Sequence, residues 1–379
     1  MKIKLRVMNI LIFSNCPVVE SQGSGYVIAN TVKALKKLGH TVDMISPEEL
    51  IILPKIRAAN IYRMAIGMAF WVMKNKKRVS RYDRIIYYGG ESYLALFLIK
   101  SIFRLDVPVI LHSNGLEVHV DYKLNEFKAF LPITKKKWYH FNSEALFRYC
   151  YNRVDAIITV SDYDRDFAIK HLGVMPEKVF TLEPALPEIY FKESALDYNR
   201  NNIITFCGSW IVRKGIESIK NAIPEVLRAN PSYTFRLVGV GSSFNVSDHF
   251  PSDILDRIVV YPFVTDKQTL IDLYCESQIF LFPSFCESFG LVVVEAMFCG
   301  NCVITGPTGV ASTLLDGIEA LVLNIPDHES VVEAINKLIV SPSLRVNMAQ
   351  SAHKRVDNLQ WSTYTEKLEN ILANVPNQI

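Results

Sequence analysis

The fold is decided by the stretch NRNNIITFCG (residues 199–208), in which four polar residues precede an apolar run that ends at a glycine. An apolar run without polar alternation is typical of a strand buried on both faces of a parallel sheet. A similar run, MNILIFS (residues 8–14), opens a first β/α alternation, so the later run begins a second one. The sequence therefore predicts an α/β protein with two Rossmann-like, doubly wound parallel sheets.

The length of 379 residues suits two domains rather than one compact core. The predicted domains are residues 1–197 and 198–358, followed by a segment, 359–379, whose helix returns to the first domain. Doubly wound sheets bind ligands at the carboxyl ends of their strands, so we expect the domains to face each other across a ligand-binding cleft. The predicted strands are 8–14, 41–45, 84–88, 107–111, 156–160 and 178–182 in the first series, and 203–207, 234–238, 258–261, 279–282, 302–305 and 320–323 in the second.

Composition places the chain among globular proteins. Half of the residues are hydrophobic and 21% are charged, a balance that argues against disorder. Seven cysteines without metal-ligand spacing do not predict a disulfide framework and favour a reducing compartment. The longest apolar run after the first strand, residues 65–73, is shorter than the roughly 20 residues that span a bilayer. The expected location is therefore the cytoplasm.

The two halves of the chain differ in charge. Residues 1–200 contain 29 Lys and Arg against 20 Asp and Glu, whereas residues 201–379 contain 12 against 18. In the basic half, the apolar stretch 64–73 leads into a basic cluster at 74–78, and residues 135–139 again join lysines to aromatic residues. Such segments suit an anionic membrane surface, although a core-packed helix that ends in a solvated basic turn has the same pattern. Nucleic acid is not an expected partner, because no reader motif accompanies these charges.

One loop of the second half carries residues suited to a diphosphate. The predicted strand 203–207 ends at Gly208, and the chain continues through Ser209, Arg213 and Lys214 toward a helix. A strand-to-helix loop presents free backbone N–H groups, and the two basic side chains add positive charge. Two solvated basic residues at a turn would explain the segment equally well.

Two further segments follow strands of the same series. Gly239 and Gly241 would let a ligand approach the backbone closely, although a tight turn alone explains them. In PSFCESFGLVVVEAM (residues 283–297), Glu287 lies in the loop before a helix and Glu295 interrupts an apolar run. A buried carboxylate needs hydrogen-bond or ion-pair partners. Ribose hydroxyls would provide them for Glu295, as acidic residues hold ribose in other nucleotide folds. Glu287 would accept hydrogen bonds from sugar hydroxyls. The alternative makes Glu295 a buried ion-pair partner and Glu287 a helix-terminal carboxylate favoured by the dipole.

The order and spacing of these segments resemble the retaining glycosyltransferases of family four, which have the GT-B fold. The resemblance runs along most of the chain, and its most specific part is the pair Glu287 and Glu295, separated by seven residues. It implies that Lys214 holds the donor diphosphate, Glu287 the transferred sugar and Glu295 the ribose. It implies no metal or other cofactor, because Lys, Arg and helix N-termini neutralise the departing diphosphate. The donor-binding residues that it implies are Gly208, Ser209, Arg213, Lys214, Gly239, Glu287, Ser288, Phe289, Gly290, Leu291 and Glu295.

The first half contributes the residues expected on the acceptor side. The loop LHSNGLE (residues 111–117) resembles a first-domain loop in which family members often carry histidine just before glycine, whereas this chain has Asn114 there. If the strand continues through the loop, His112 projects to the same side and lies near the transferred sugar as a catalytic residue. A structural histidine at a strand end is the alternative. Gly23 and Glu117 complete the expected acceptor side. The segment Gly-Ser-Gly at 23–25 predicts a turn that leads into the first helix.

Two features depart from simple motifs. Family members often have an arginine directly after the loop glycine, where this chain has Ser209; Arg213, beside Lys214, would supply that charge from a different position. The segment Asp162-Tyr163-Asp164 has the Asp-x-Asp form that metal-dependent glycosyltransferases of the other major fold use. Ser161 as an N-cap, with acidic residues in the first helical turn, explains this segment without a metal.

The sequence therefore predicts a retaining glycosyltransferase that moves a sugar from a nucleoside-diphosphate sugar to a saccharide or lipid-linked acceptor, in surface polysaccharide or glycolipid biosynthesis. Two alternatives stay open, a nucleotide-sugar epimerase on the same fold and a catalytically inactive carbohydrate-binding relative. An epimerase would turn over its donor without an acceptor. The presence of Lys214, Glu287 and Glu295 argues against an inactive relative. Ser209 and Asn114 depart from the family pattern, so this alternative stays open.

Overall fold

The computed structural model describes residues 6–19, 23–52, 59–131, 143–192, 198 and 200–376. Two compact units make up the chain. The first comprises Met1–Asp121, Thr134–Ala185 and Trp361–Ile379, and the second comprises Tyr122–Ile133 and Leu186–Gln360. The division therefore follows Ala185, whereas the boundary predicted from the sequence is at 197/198.

Six parallel strands form the sheet of the first unit: β1 (Asn9–Phe13), β2 (Thr41–Ile45), β3 (Arg84–Tyr88), β4 (Val109–His112), β5 (Ala156–Thr159) and β6 (Val179–Thr181). Their order is β2-β1-β3-β4-β5-β6, so the direction of winding reverses between β1 and β3. Every residue of β3, β4 and β5 is buried. Burial on both faces explains why these strands are apolar over most of their length, with the polar residues Arg84, His112 and Thr159 only at their ends.

The second unit repeats this architecture with β7 (Asn201–Cys207), β8 (Thr234–Val238), β9 (Ile258–Tyr261), β10 (Ser277–Phe282), β11 (Cys302–Thr305) and β12 (Leu321–Val322). The strands are again parallel, in the order β12-β11-β10-β7-β8-β9, and the winding reverses between β10 and β7. The predicted fold class, two doubly wound α/β sheets, is confirmed.

Helices connect the strands. Gly23–Gly25 form the first residues of a helix, so the turn that the sequence suggested there is wrong. A Cβ on Gly25 would lie 2.6 Å from the carbonyl oxygen of Val19, which shows that this glycine permits a close backbone approach. The helices are α1 (Gly23–Lys37), α2 (Pro47–Leu50), α3 (Asn60–Lys74), α4 (Lys76–Val79), α5 (Tyr93–Phe97), α6 (Glu117–Glu126), α7 (Ser143–Arg153), α8 (Asp162–Lys170), α9 (Ile216–Ala229), α10 (Lys267–Glu276), α11 (Leu291–Phe298), α12 (His328–Val340), α13 (Pro342–Val356) and α14 (Trp361–Asn374).

The last helix, α14, packs against the first sheet. Leu368 and Leu372 of α14 lie in the same buried cluster as Ile12 of β1 and Ile28 of α1. The buried guanidinium of Arg84 donates to the carbonyl of Leu372 at 3.1 Å. The first unit is therefore completed by residues that follow the whole second unit in the chain.

Two smaller expectations concern single segments. Ser161 caps α8, and its hydroxyl accepts a hydrogen bond from the backbone N–H of Asp164 at 3.3 Å, which agrees with the capping interpretation of the Asp-x-Asp segment. The basic and aromatic residues 135–139 lie outside the described residues. In the described part of the chain, no helix is both long and apolar enough to cross a membrane.

Candidate functional site

The loop after β7 places a lysine at the carboxyl end of the second sheet. Gly208 follows β7 and donates its N–H to the carbonyl of Val238 at 2.8 Å. The chain then makes the short 3-10 turn Val212–Lys214 and enters α9 through Gly215, which has a φ of +75°. The side chain of Lys214 folds back, so that its Nζ lies 2.7 Å from the position of a Cβ on residue 208. Gly208 therefore provides the space that the ammonium group occupies.

Lys214 is a partly desolvated cation. Its side chain is 13% exposed, and its Nζ lies 5.0 Å from the centre of the Phe282 ring. Burial lowers the pKa of Lys214 from its usual 10.5, while the charge of Glu287 acts in the opposite direction. A buried charge is stabilised by a partner of opposite sign, so an anionic ligand would stabilise this ammonium group.

Three groups converge on one oxygen of Glu287. Arg213 Nη1 donates to Oε1 at 2.8 Å, and the Ser284 hydroxyl donates to it at 3.3 Å. Lys214 Nζ lies 3.9 Å from the same oxygen. No described residue forms a hydrogen bond with Oε2. The arrangement fixes the carboxylate through one oxygen and leaves the other available to a ligand.

The backbone before α11 is also fixed. Gly290 has a φ of +90°, a conformation that favours glycine, and α11 begins at the next residue, Leu291. The carbonyl of Phe289 accepts a hydrogen bond from Val310 N at 2.8 Å, and a Cβ on Gly309 would lie 2.3 Å from that carbonyl oxygen. The N-terminus of α11 presents backbone N–H groups without intrahelical partners, an arrangement that favours negative charge.

Glu295 lies further along α11 and is only 5% exposed. Its Oε1 is 3.0 Å from Lys267 Nζ, and its Oε2 accepts a hydrogen bond from the Tyr274 hydroxyl at 3.4 Å. These contacts are the ion pair that the sequence analysis gave as the alternative for Glu295, and ribose binding stays a prediction. Lys267 was missed because no sequence signal links it to a carboxylate 28 positions away.

Residues predicted to bind the donor follow three adjacent strands. In the sheet, β7 lies between β10 and β8. Gly239 directly follows β8, and a Cβ there would lie 3.7 Å from the N atom of Gly208. Doubly wound sheets bind ligands where the winding reverses, which here is the junction of β10 and β7. The predicted residues in the loops that follow these strands, or at the start of α11, are Gly208, Ser209, Arg213, Lys214, Gly239, Glu287, Ser288, Phe289, Gly290 and Leu291.

In the first unit, His112 is the last residue of β4 and is fully buried. Its Nε2 lies 3.2 Å from the Tyr364 hydroxyl, and its ring centre is 4.7 Å from that of Tyr88. Burial lowers the pKa of His112 to about 3, so the imidazole is neutral at physiological pH. Because β4 ends at His112, the alternation of side chains along a strand does not extend to Asn114. The expectation that His112 and Asn114 project to the same side by strand alternation is therefore wrong. The environment is that of the structural alternative, and contact with a sugar stays a prediction.

Two carboxyl groups lie close to the carboxyl ends of β3 and β4. Glu117 Oε2 accepts a short hydrogen bond from the Tyr151 hydroxyl, and Oε1 accepts one from Gly90 N at 3.4 Å. Glu91 Oε2 accepts a hydrogen bond from Asn15 Nδ2 at 3.4 Å. Burial raises the pKa of both glutamates, and the charge of Glu117 helps to raise that of Glu91 to about 8. Glu91 is therefore largely protonated at neutral pH.

The remaining acceptor-side residues, Gly23 and Asn114, follow β1 and β4, the two strands on either side of β3. Gly23 is the first residue of α1, which follows β1. Both polar atoms of the Asn114 amide are buried without a hydrogen-bond partner among the described residues. Glu91 was missed by the sequence analysis, although it follows two glycines directly after β3, the same strand-end signal that drew attention to Gly239.

Two protein-family models match the chain over most of its length. The model described as Glycosyltransferase Family 4 matches residues 21–186. The model described as Glycosyl transferases group 1 matches residues 201–341. The chain belongs to glycosyltransferase family 4.

Curated proteins are similar to parts of the chain. The D-inositol 3-phosphate glycosyltransferase of Corynebacterium jeikeium is 26% identical over 186 residues, which are 47% of this chain and 44% of the relative. The capsular polysaccharide biosynthesis glycosyltransferase CapM of Staphylococcus aureus is 29% identical, over 49% of this chain and 48% of the relative. The chain therefore matches about half the length of these curated relatives.

Solved structures resemble the whole chain. Sucrose-phosphate synthase from Thermosynechococcus elongatus matches with a TM-score of 0.74 and 16% identity, over 97% of this chain and 99% of that chain. The Anabaena protein HepE, in complex with UDP-glucose, matches with a TM-score of 0.66 and 14% identity, over 96% of this chain and 99% of that chain. At this level of identity the likeness establishes the fold, which is the GT-B fold expected of the family.

One departure from the family pattern has a structural counterpart. Ser209, at the position where family members often have arginine, is exposed next to Gly208. Arg213, which the sequence analysis offered as a replacement, donates to Glu287 Oε1 and also to the carbonyl of Cys286 at 2.7 Å. Its guanidinium is therefore engaged in holding Glu287, and a contact with the donor phosphates stays a prediction.

Proposed function

We propose that this protein is a retaining glycosyltransferase that transfers a sugar from a nucleoside-diphosphate sugar to a saccharide or lipid-linked acceptor. The observation that carries the proposal is the pair Lys214 and Glu287, whose Nζ and Oε1 atoms lie 3.9 Å apart. They follow β7 and β10, the two strands between which the winding of the second sheet reverses. One group suits a diphosphate and the other suits the hydroxyls of the attached sugar.

Each donor residue has a role that its surroundings support. Lys214 holds the diphosphate together with the N-terminal N–H groups of α11, and Glu287 accepts hydrogen bonds from the sugar through Oε2. Glu295 binds the ribose, with Lys267 keeping its carboxylate in place at 3.0 Å. Gly208 and Gly239 allow the donor to approach the backbone.

Catalysis in this proposal is mainly electrostatic. As the bond between the sugar and the diphosphate breaks, negative charge develops on the leaving phosphate oxygens, and groups already aimed at that charge lower the barrier. Lys214 and the N-terminus of α11 are such groups, so the reaction needs no metal ion. We therefore expect activity to persist in the presence of a chelator. Complete loss that Mg²⁺ or Mn²⁺ restores would contradict this part of the proposal.

The acceptor side is assigned to the first unit. Asn114 has an amide that lacks a hydrogen-bond partner among the described residues, and Glu117 and Glu91 together offer both acceptor oxygens and a proton. Hydroxyl groups of a saccharide both donate and accept hydrogen bonds, so they suit this combination. The names of the relatives point to inositol phosphate and capsular polysaccharide as acceptors or products in those proteins, which agrees with a role in surface polysaccharide or glycolipid synthesis.

A thermal-shift screen of UDP-, GDP-, ADP- and TDP-sugars, with NAD and free sugars as controls, tests the donor class. We expect one nucleotide sugar to raise the melting temperature selectively, and the shift to be lost in Glu295→Gln. Release of nucleoside diphosphate that depends on an added acceptor would then distinguish a transferase from an epimerase. No shift with any nucleotide sugar, in an assay that detects other ligands, would reject the proposal in favour of an inactive relative.

A further inference from the structure

One side of α3 exposes large apolar side chains. Phe70 is 58% exposed and Met73 is 44% exposed. They recur with Ile66 and Lys74 at spacings of three or four residues, which places all four on one side of the helix. The other side of α3 is buried in the core of the first unit. Core packing therefore does not explain the apolar residues on the outer side.

A helical segment that packs against α3 also exposes large apolar side chains. Helix α5 continues as a π-helix, Leu98–Ile102, and both parts pack against α3. Phe97 is 43% exposed and Ile102 is 55% exposed. Lys76 Nζ lies 4.5 Å from the centre of the Phe103 ring. This contact connects the start of α4 with the residue that follows the π-helix.

The two segments that carry these residues are basic. Residues 59–82 contain six Lys and Arg and no Asp or Glu, and residues 92–105 contain two and none. Arg78 is paired with Asp43 and Lys100 with Asp155, and Arg63 is buried. The exposed basic residues of these segments are Lys74, Lys76, Lys77, Arg81 and Arg104. We call this surface the basic apolar face and define it as Ile66, Phe70, Met73, Lys74, Lys76, Lys77, Phe97, Ile102, Phe103 and Arg104.

We infer that the basic apolar face docks on an anionic lipid surface. Apolar side chains enter the interface between headgroups and acyl chains, while lysines at the edge interact with anionic headgroups. A protein partner is a poorer fit, because lysine is depleted at protein–protein interfaces and the face carries three lysines. The inference extends the proposed function, since it would bring the first unit to a lipid-linked acceptor.

Vesicle flotation measures the docking without a sugar donor. The full chain is mixed with phosphatidylcholine vesicles with or without phosphatidylglycerol, and we expect it to bind only the anionic vesicles and to be released by high salt. Lys74→Ala combined with Lys77→Ala should lower the partition coefficient roughly 25-fold, because each lysine near an anionic surface contributes about fivefold. Lys36→Ala combined with Lys37→Ala, which removes two exposed lysines of α1, is the matched control and should change binding less than twofold.

The apolar part of the face is tested separately. Phe70→Ser combined with Met73→Ser should remove vesicle binding even at low salt, with a melting temperature close to that of the wild type because both side chains are exposed. Equal binding to neutral and anionic vesicles, or equal losses in the two lysine pairs, would overturn the inference. An absence of vesicle binding by the wild type would also overturn the inference. If the Phe70→Ser, Met73→Ser variant then differs from the wild type in oligomeric state, the partner of this face is a second copy of the chain.

The proposed function and the lipid-docking inference can be tested independently of each other. The nucleotide-sugar thermal shift, measured on the same variants, should be unchanged, because the donor residues lie in the second unit. A protein that binds anionic vesicles but shows no shift with any nucleotide sugar would lose the proposed function and keep the lipid-docking surface.

Discussion

Replacing Gly215 by alanine tests whether the close approach of two strand-end loops builds the donor site. Gly215 has a φ of +75°, and a Cβ at this position would lie 2.0 Å from the carbonyl oxygen of Pro283. Gly317 has a φ of +74°, but a Cβ there would meet no described heavy atom within 4 Å. Gly317→Ala is therefore a matched control that shares the backbone strain and lacks the clash.

The difference between the two variants follows from these distances. Each alanine in the left-handed region costs about 1–2 kcal/mol of folding free energy. At residue 215, the new Cβ and the Pro283 oxygen must also move apart by about 1 Å to reach a tolerable contact, which we expect to cost about another 1–3 kcal/mol. The movement separates the loop of Lys214 from that of Ser284, whose hydroxyl bonds to both Arg213 O and Glu287. Affinity for a nucleoside diphosphate should therefore fall by roughly tenfold or more, since groups displaced by 1 Å lose their aligned contacts.

Urea denaturation gives the free energies of unfolding, and isothermal titration calorimetry with the nucleoside diphosphate found in the donor screen gives the affinities. We expect Gly317→Ala to bind like the wild type and Gly215→Ala to be both less stable than Gly317→Ala and weaker in binding. Equal stabilities and equal affinities in the two variants would refute the argument that this approach of the loops positions the site.

Three further predictions concern charged groups. Lys214→Ala should weaken nucleoside diphosphate binding by roughly 10- to 150-fold, the range for a hydrogen bond to a charged group, and calorimetry that shows less than a threefold change would contradict the diphosphate role. Lys267→Met leaves the buried carboxylate of Glu295 without its cation and should lower the free energy of unfolding by about 1–3 kcal/mol, whereas Lys267→Arg should retain most of it; urea denaturation of both variants checks this. The raised pKa of Glu91, about 8 against an ordinary 4.5, means that the folded state resists its ionisation, so this group lowers stability progressively from about pH 4.5 to 8. Glu91→Gln should therefore gain stability relative to the wild type as the pH rises through this window, and a constant difference in melting temperature would contradict the burial of this carboxyl group.

The strands could be predicted because their signal is local. Residues 85–88 are buried on both faces of their sheet, and the uninterrupted apolar run that this requires is visible without knowing any partner. The glycine signal was less specific. Glycines at 23–25 suggested a turn but begin a helix. A glycine can be needed because a turn requires its backbone conformation or because a side chain would clash with a neighbouring segment, and the sequence does not distinguish the two cases.

The pairing of charged side chains could not be predicted. The sequence identified Glu287 and Glu295 as notable carboxylates, yet their partners Arg213 and Lys267 lie on other loops and helices. Which cation reaches which carboxylate depends on how the ends of β7, β10 and α10 come together in three dimensions. Residue type and spacing along the chain do not contain that information, so the contacts of Arg213 and Lys267 with these carboxylates could be read only from the structure.

The place of α14 in the first unit has a consequence for synthesis on the ribosome. Tyr364 of α14 bonds to Thr31 at 2.7 Å and to His112 at 3.2 Å, contacts that span most of the chain. Both segments of the second unit, Tyr122–Ile133 and Leu186–Gln360, leave the ribosome before α14 does. Until α14 is synthesised, the apolar surface of the first sheet that α14 covers is exposed to water. The second unit can fold as soon as it emerges. During translation, the first unit therefore begins to form before the second unit and is completed after it.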